Sequence, residues 1–375
     1  MEQIADISEW TLANQSEREV PNEADASRRD GVLAAEMKIQ HGGVFGWESP
    51  VFNPDQGAYY RFDFRAHASV SGHWEAQFYR AGRPDDFHTS GIPRTDGKWA
   101  EMRFYFRAKY GKKRARILLW PGGIGEIQFS DPSLVRASDD DAWQWFRKFV
   151  KKAPPLNYRD EKPGELLPNT VEALRQAEEA DPVNIALFGD SLSFDVGNTP
   201  LDLALERLYP GSEVRIHTCG LGGSGWARLA VDQVLEERLL TVDPDLVILF
   251  SVSNGVEELA PNLEHIVDAV RDGCNAESLL VTNHRLTNRR TKEKWGTRLD
   301  DTAEQTQLVG REKGCEVADL RQMLAEYLAA NKAPTDELKW FLRDETHFNE
   351  TGRAVVMQLL LQHLAPDRWQ DVGNV

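Results

Sequence analysis

Four short segments of this 375-residue chain hold residue types that together can perform acyl transfer. Gly189-Asp190-Ser191-Leu192-Ser193 supplies a hydroxyl. Thr218-Cys219-Gly220-Leu221-Gly222-Gly223-Ser224-Gly225 supplies backbone amides on a flexible turn. Ser251-Val252-Ser253-Asn254-Gly255 supplies a side-chain amide, and Asp344-Glu345-Thr346-His347 a carboxylate–imidazole pair. A serine hydroxyl is a poor nucleophile unless a base takes its proton during attack. His347 can be that base for Ser191, with Asp344 holding the imidazole tautomer and stabilising the imidazolium. Negative charge on the substrate oxygen needs donors already in place. The amides of Ser191 and Gly223 and the side chain of Asn254 can provide three, each worth about 3–4 kcal/mol in the barrier.

Such a constellation needs elements that carry its parts to one place. Residues 183–189 (VNIALFG), 213–219 (EVRIHTC), 245–251 (DLVILFS), 278–283 (SLLVTN) and 315–320 (CEVADL) read as strands. Helical patterns such as ARLAVDQVLEERLL at 227–240 lie between them. Runs apolar on both faces, LVILF for example, suit strands buried between helix layers. The alternation predicts a parallel five-stranded sheet inside a three-layer α/β/α sandwich, with right-handed crossovers. In such sheets ligands bind outside the carboxyl ends of the strands. Three of the four segments come directly after a strand, and the fourth precedes the last helix.

Each segment alone also has a plainer reading. Asp190 and Ser191 are good helix caps. Gly220 to Gly225 satisfies GxGxxG, but it comes after the second strand rather than the first, which disfavours a dinucleotide fingerprint. Asn254 alone could be a turn residue and His347 a surface histidine. The joint occurrence, in order and at strand ends, favours an active site. Ser193 is the alternative nucleophile, and Asp195 reads as support for the turn. His217, inside the second strand, reads as a satisfied core group. His284 comes after the fourth strand and could line the pocket. With Arg285, Arg289 and Arg290 beside it, loop surface is the other reading, and that basic cluster could meet an anionic sugar group.

From Val183 to about Leu364 these segments resemble the blocks of the SGNH (GDSL-type) hydrolase family. DETHFNETG, with Asn349 and Gly352 downstream, is similar to the family's last block. The chain departs from the family pattern at Thr218, where the second block usually begins with Asn. It departs again around Asn254, whose neighbours in the family are Gly and Asp. The resemblance implies the three-layer fold and metal-free, cofactor-free serine esterase chemistry. It also implies Ser191 as nucleophile, His347 as base, Asp344 as its partner, and Ser191, Gly223 and Asn254 as the oxyanion hole. Gly225 before Trp226 is the rival amide donor. Asp190, Gly225, Trp226 and His284 are the candidate substrate contacts.

The first 140 residues read differently. GAYYRFDFRAHASV places Tyr60, Phe62, Phe64 and Ala66 on one side and Tyr59, Arg61, Asp63 and Arg65 on the other. KWAEMRFYFRAKYG does the same with Met102, Phe104 and Phe106 against Arg103, Tyr105 and Arg107. Period two marks half-buried strands. HWEAQFYRAG, RARILLWPGG and GEIQFSDPSLVRA are further candidates, with NPDQG, AGRPDD and RTDGK as turns. The expectation is an all-β sandwich over 1–140, an ordered connector with a helix at NTVEALRQAEEA over 141–181, and the α/β domain over 182–375. The sandwich loosely resembles jelly-roll modules of the carbohydrate-binding type. Trp47, Tyr59, Trp74, Tyr79 and Trp99 are candidates to stack on sugar rings, with sandwich core as the alternative for each. Arg61, Arg65, Arg103 and Arg107 read as solvated or paired with acids.

The formal charge is −16, about −2 over residues 1–150 and about −14 over the rest. That balance disfavours nucleic acid, since phosphate binding needs clustered Lys and Arg. No run of about 20 apolar residues predicts a membrane span. Cys219, Cys274 and Cys315 are too few and too scattered for a disulfide framework or a Cys-based zinc site. The opening MEQIADISEW has neither a basic nor an apolar signal-peptide region. The sequence leaves compartment and oligomeric state open. The leading expectation is an esterase removing acyl groups, acetyl first, from an oligo- or polysaccharide. The alternatives are a lysophospholipase or thioesterase on the same scaffold, and a non-catalytic carbohydrate-binding protein.

Overall fold

The computed structural model describes residues 7–15, 23–39, 44–55, 57–69, 74–80, 83–92, 95–108, 113–119, 125–153, 156, 162–176, 181–251, 259–284, 298–330, 341–342 and 346–375. The chain forms two compact units, Met1–Trp145 and Phe146–Val375. The boundary falls inside the helix Asp139–Lys152, which occupies the first part of the segment read as a connector. The helix expected over 169–180 is Pro168–Arg175.

The first unit is all β. Its strands are β1 Thr11–Gln15, β2 Glu23–Arg29, β3 Val32–Ile39, β4 Val44–Glu48, β5 Tyr59–Ala68, β6 Trp74–Arg80, β7 Arg83–Gly91, β8 Ala100–Arg107, β9 Lys113–Leu119 and β10 Gly125–Arg136. They make two antiparallel five-stranded sheets, ordered β1-β4-β9-β6-β7 and β2-β3-β10-β5-β8. Alternation dictates the inner faces. Phe62 pairs with Phe104 and Phe64 with Met102 across β5 and β8. These side chains are buried against Phe45, Trp47, Ala76, Phe78, Ala115 and Ile117 of the other sheet. Burying one such aromatic side chain contributes about 1.5–3 kcal/mol. On the outer face Arg61 and Arg103 both pair with Asp63 at 2.6 Å, as their polar register suggests. AGRPDD differs from its reading as a turn: β7 starts at Arg83 and takes Pro84 into the strand. An edge position tolerates the missing amide donor, and β7 is an edge.

The second unit is the three-layer α/β/α sandwich. Its parallel sheet comprises β11 Val183–Gly189, β12 Val214–Thr218, β13 Leu246–Phe250, β14 Glu277–Val281 and β15 Glu316–Ala318, ordered β12-β11-β13-β14-β15. Ala186, Phe188, Val247, Leu249 and Leu280 meet the helices Leu259–Cys274 and Arg298–Lys313 on one face. The helices Ser191–Gly197, Leu201–Leu208 and Glu350–Leu364 cover the other. Glu350–Leu364 is buried all round from Gly352 to Leu364, which suits its almost wholly apolar sequence. The segment ARLAVDQVLEERLL is not one helix. A turn at Trp226–Leu229 gives way to Asp232–Val234 and a π turn at Leu235–Leu239. Leu229, Leu235 and Leu239 still enter the core, as their spacing predicts.

Among the described residues no helix is long and apolar enough to cross a membrane. The three cysteines are free thiols, and burial pushes the Cys274 and Cys315 thiols up.

Candidate active site

The strand order reverses between β11 and β13, because the chain runs from β11 out to β12 and then crosses to β13 on the other side. In open α/β sheets, ligands bind outside the carboxyl ends of the strands at such a switch point. Register aligns the strand ends, pairing Gly189 with Phe250 and Phe250 with Val281. Gly189 is required here by close approach: a Cβ at this position would lie 1.8 Å from the Phe250 carbonyl oxygen. Asp190 comes next, fully buried. Its Oδ1 accepts from the Leu192 amide at 2.9 Å, and its Oδ2 accepts from the Ser251 hydroxyl at 2.8 Å. One carboxylate therefore caps the next helix and ties the end of β11 to the end of β13. Asp190 is committed to structure rather than presented to a ligand.

Ser191 opens the helix Ser191–Gly197. Its amide is among the first four of the helix, which have no acceptor within it. Its Oγ lies 2.8 Å from His347 Nε2, across 156 residues of sequence. That distance is within the reach proton transfer requires. Ser193 is different. It is 1% exposed and its hydroxyl donates to the Asp190 carbonyl at 2.7 Å, so it is spent on the turn.

The glycine turn is held against the same edge. The Leu221 amide donates to the Gly189 carbonyl at 2.8 Å, and the Cys219 amide to that of Leu187 at 2.9 Å. Arg238, on the π turn, donates to the Gly220 carbonyl at 3.0 Å. Gly223 is exposed and has φ +68°, a left-handed conformation that favours glycine. Gly225 is the cap of the Trp226 turn. Trp226 itself is 3% exposed, within the core behind the sheet, and so offers little surface to a substrate.

His347 is fixed by the two residues after it. Phe348 bridges to Leu342, and Asn349 donates its amide to the Phe341 carbonyl at 2.7 Å. The Asn349 side chain then caps the last helix, accepting from the Gly352 amide at 2.9 Å. The Phe348 ring stacks on Phe250 at 6.3 Å and lies 4.8 Å from His284. His284 is therefore buried at the carboxyl edge of the sheet, 4% exposed, and not on a loop surface. His217 is half-buried and 3.3 Å from Asn184, consistent with a satisfied strand residue. Asp344, Asn254, Arg285, Arg289 and Arg290 lie outside the described residues. In the first unit Trp47, Tyr59 and Tyr79 are core, the Trp74 side chain is not among those described, and Trp99 is 38% exposed.

Two contributors lie outside the sequence motifs, and a third, Ser251, opens the third segment but is not singled out within it. Arg238 has no signal beyond that of an ordinary polar residue. Arg353 does have one, as the single Lys or Arg in the largely apolar run RAVVMQLLLQHL. Asp195, read as turn support, instead accepts from the Phe348 amide at 2.9 Å and pairs with Arg353 at 2.7 Å. Among the described residues no cluster of three or more His, Cys, Asp or Glu side chains could hold a metal.

No family model matches the sequence, and no curated protein is similar to it. Solved structures are similar at low identity. An acetyl xylan esterase, AlAXEase, is 19% identical over 48% of this chain and 98% of its own, with a TM-score of 0.42. A lipase/acylhydrolase from Enterococcus faecalis is 20% identical over 51% and 96%, with a TM-score of 0.39. A two-domain esterase active on acetylated mannans is 18% identical over 55% of this chain, with a TM-score of 0.42, and the match spans 54% of that protein.

Proposed function

We propose that the chain is a serine hydrolase of carboxylic esters, acting on O-acyl and first of all O-acetyl groups of a carbohydrate. The observation that carries this reading is the 2.8 Å approach of Ser191 Oγ to His347 Nε2 at the switch point of the parallel sheet. In the first step the Ser191 hydroxyl donates its proton to Nε2 as Oγ attacks the ester carbonyl. Asp344 holds Nδ1–H of the ring and offsets the charge of the imidazolium. The oxyanion receives hydrogen bonds from the amides of Ser191 and Gly223 and from the Asn254 side chain. His347 then gives the proton to the departing sugar oxygen, leaving an acyl-serine. In the second step His347 takes a proton from water, which attacks the acyl-serine and releases the acid.

The nucleophile is tested by Ser191→Ala assayed on an activated acetyl ester. The expected loss is at least about 10³-fold in kcat, since the nucleophile and base act as a unit. Undiminished turnover in a folded variant removes the assignment. The substrate class is tested by acetate release from acetylated xylan, mannan and pectin against hydrolysis of long-chain acyl esters and lysophospholipid. Acetate release supports the carbohydrate reading, and a preference for long acyl chains replaces it with the lipid one.

A further inference from the structure

The helix that opens with Ser191 also carries Asp195, one turn further on and 1% exposed. Its two carboxylate oxygens serve different masters. Oδ2 accepts from the backbone amide of Phe348, the residue after His347, at 2.9 Å. Oδ1 accepts from Nη2 of Arg353 at 2.7 Å, and Arg353 is itself only 4% exposed on the last helix. A buried carboxylate is costly unless paired and hydrogen-bonded, and here a guanidinium and a main-chain donor supply both. The consequence is geometric. Ser191 and the amide adjoining His347 are tied to the same short helix, so the imidazole is registered against the hydroxyl by the Asp195–Phe348 hydrogen bond rather than by loop packing alone.

We infer that Asp195 is a positioning residue for His347, with Arg353 pairing with its carboxylate and holding it aimed at the Phe348 amide. The inference rests on the proposed roles of Ser191 and His347. Asp195 touches no reacting atom. Its work is to hold Nε2 where the Ser191 proton can reach it. A displacement of about 1 Å at a reacting pair can cost about 10²-fold in rate.

Removing Asp195 alone would leave Arg353 buried and uncompensated, so loss of activity in Asp195→Ala could follow from loss of fold. Two paired variants avoid this. Asp195→Asn with Arg353→Gln replaces the ion pair by neutral groups of similar shape and leaves an acceptor for the Phe348 amide. Asp195→Leu with Arg353→Met fills the same space with apolar groups, a replacement buried pairs often tolerate, and removes that acceptor. Both are assayed on an activated acetyl ester, with rates normalised to the folded chains, whose fraction is read from near-UV circular dichroism and thermal melts.

The Asn/Gln pair is expected to keep kcat within about threefold of the unaltered chain. The Leu/Met pair is expected to lose about 10²-fold in kcat with KM within about twofold, the signature of a misplaced base rather than a damaged substrate site. Equal rates per folded chain in the two variants would overturn the inference. So would a loss confined to KM. Ser191→Ala assayed in parallel separates the two levels. If it is inactive and the paired variants are equal, the positioning role alone fails. If it is fully active, the reading beneath it fails as well.

Discussion

At the scale of single residues, the site depends on atoms that have no room to be otherwise. Gly189 is the clearest case, since a methyl group there would sit 1.8 Å from the Phe250 carbonyl oxygen. Gly189→Ala must therefore part β11 from β13 at the point where Asp190 and Ser251 join them. The expected destabilisation is at least about 1–3 kcal/mol, the usual cost of overpacking, read from urea unfolding with an unchanged m-value. An unaltered midpoint would contradict the close approach. The meeting of Ser191 and His347 was legible in the sequence because few combinations of hydroxyl, imidazole and glycine turn recur in that order. Their supports were not. Asp195 lies 153 residues from the amide it holds, and no local pattern announces a partner at that distance. Trp226 and His284 show the same limit in reverse. Both adjoin the motifs, yet Trp226 is core behind the sheet and His284 packs on Phe348.

At the scale of elements, strands buried on both faces were easiest to read. VNIALFG is β11 to the residue, and the other four strands of its sheet differ from their expected bounds by a few residues at most. Continuous apolar runs leave little choice of state. The first unit was legible only where aromatic alternation is strong, as in β5 and β8. Glu23–Arg29 is a largely exposed edge strand, and VLAAEMKI is rich in residues that favour helices. There sheet pairing overrides local preference. The broken helix at 226–242 was missed because leucine spacing reports what is buried, not whether the backbone between is continuous.

One element makes a pH prediction. The helix Leu320–Ala330 packs Tyr327 against Phe341 at 5.2 Å. Burial pushes this phenol up to about 12 from an ordinary value of 10.0. The folded state thus favours the neutral form. Its contribution to stability is intact below pH about 10 and is lost as pH rises from there towards 12. Tyr327→Phe should unfold less steeply with pH over that interval than the unaltered chain, measured by thermal melts. An identical slope would contradict the burial of the phenol.

At the scale of the whole molecule, two units with separate cores divide the sequence, and the acidic charge falls almost wholly on the second half. Among the aromatic candidates whose side chains are described in the first unit, Trp99 alone keeps an exposed ring. Arg65 lies 5.7 Å from its centroid and the His67 ring 6.3 Å from it. If this unit serves the proposed esterase by holding polymer, Trp99→Ala should weaken retention on acetylated polysaccharide by up to about 1.5–3 kcal/mol, the scale of burying an aromatic side chain. Turnover of a small acetyl ester should be unchanged. Unaltered retention would leave the ring without a part in binding.

The proposed function rests on activation of the Ser191 hydroxyl by His347. Covalent labelling with a fluorophosphonate, read out by peptide mass mapping, probes that activation without any assumption about the natural substrate. The predicted result is one adduct per chain on Ser191, absent in Ser191→Ala and slowed by at least about 10³-fold in His347→Ala. An adduct on another residue, or equal labelling rates with and without the imidazole, would contradict it.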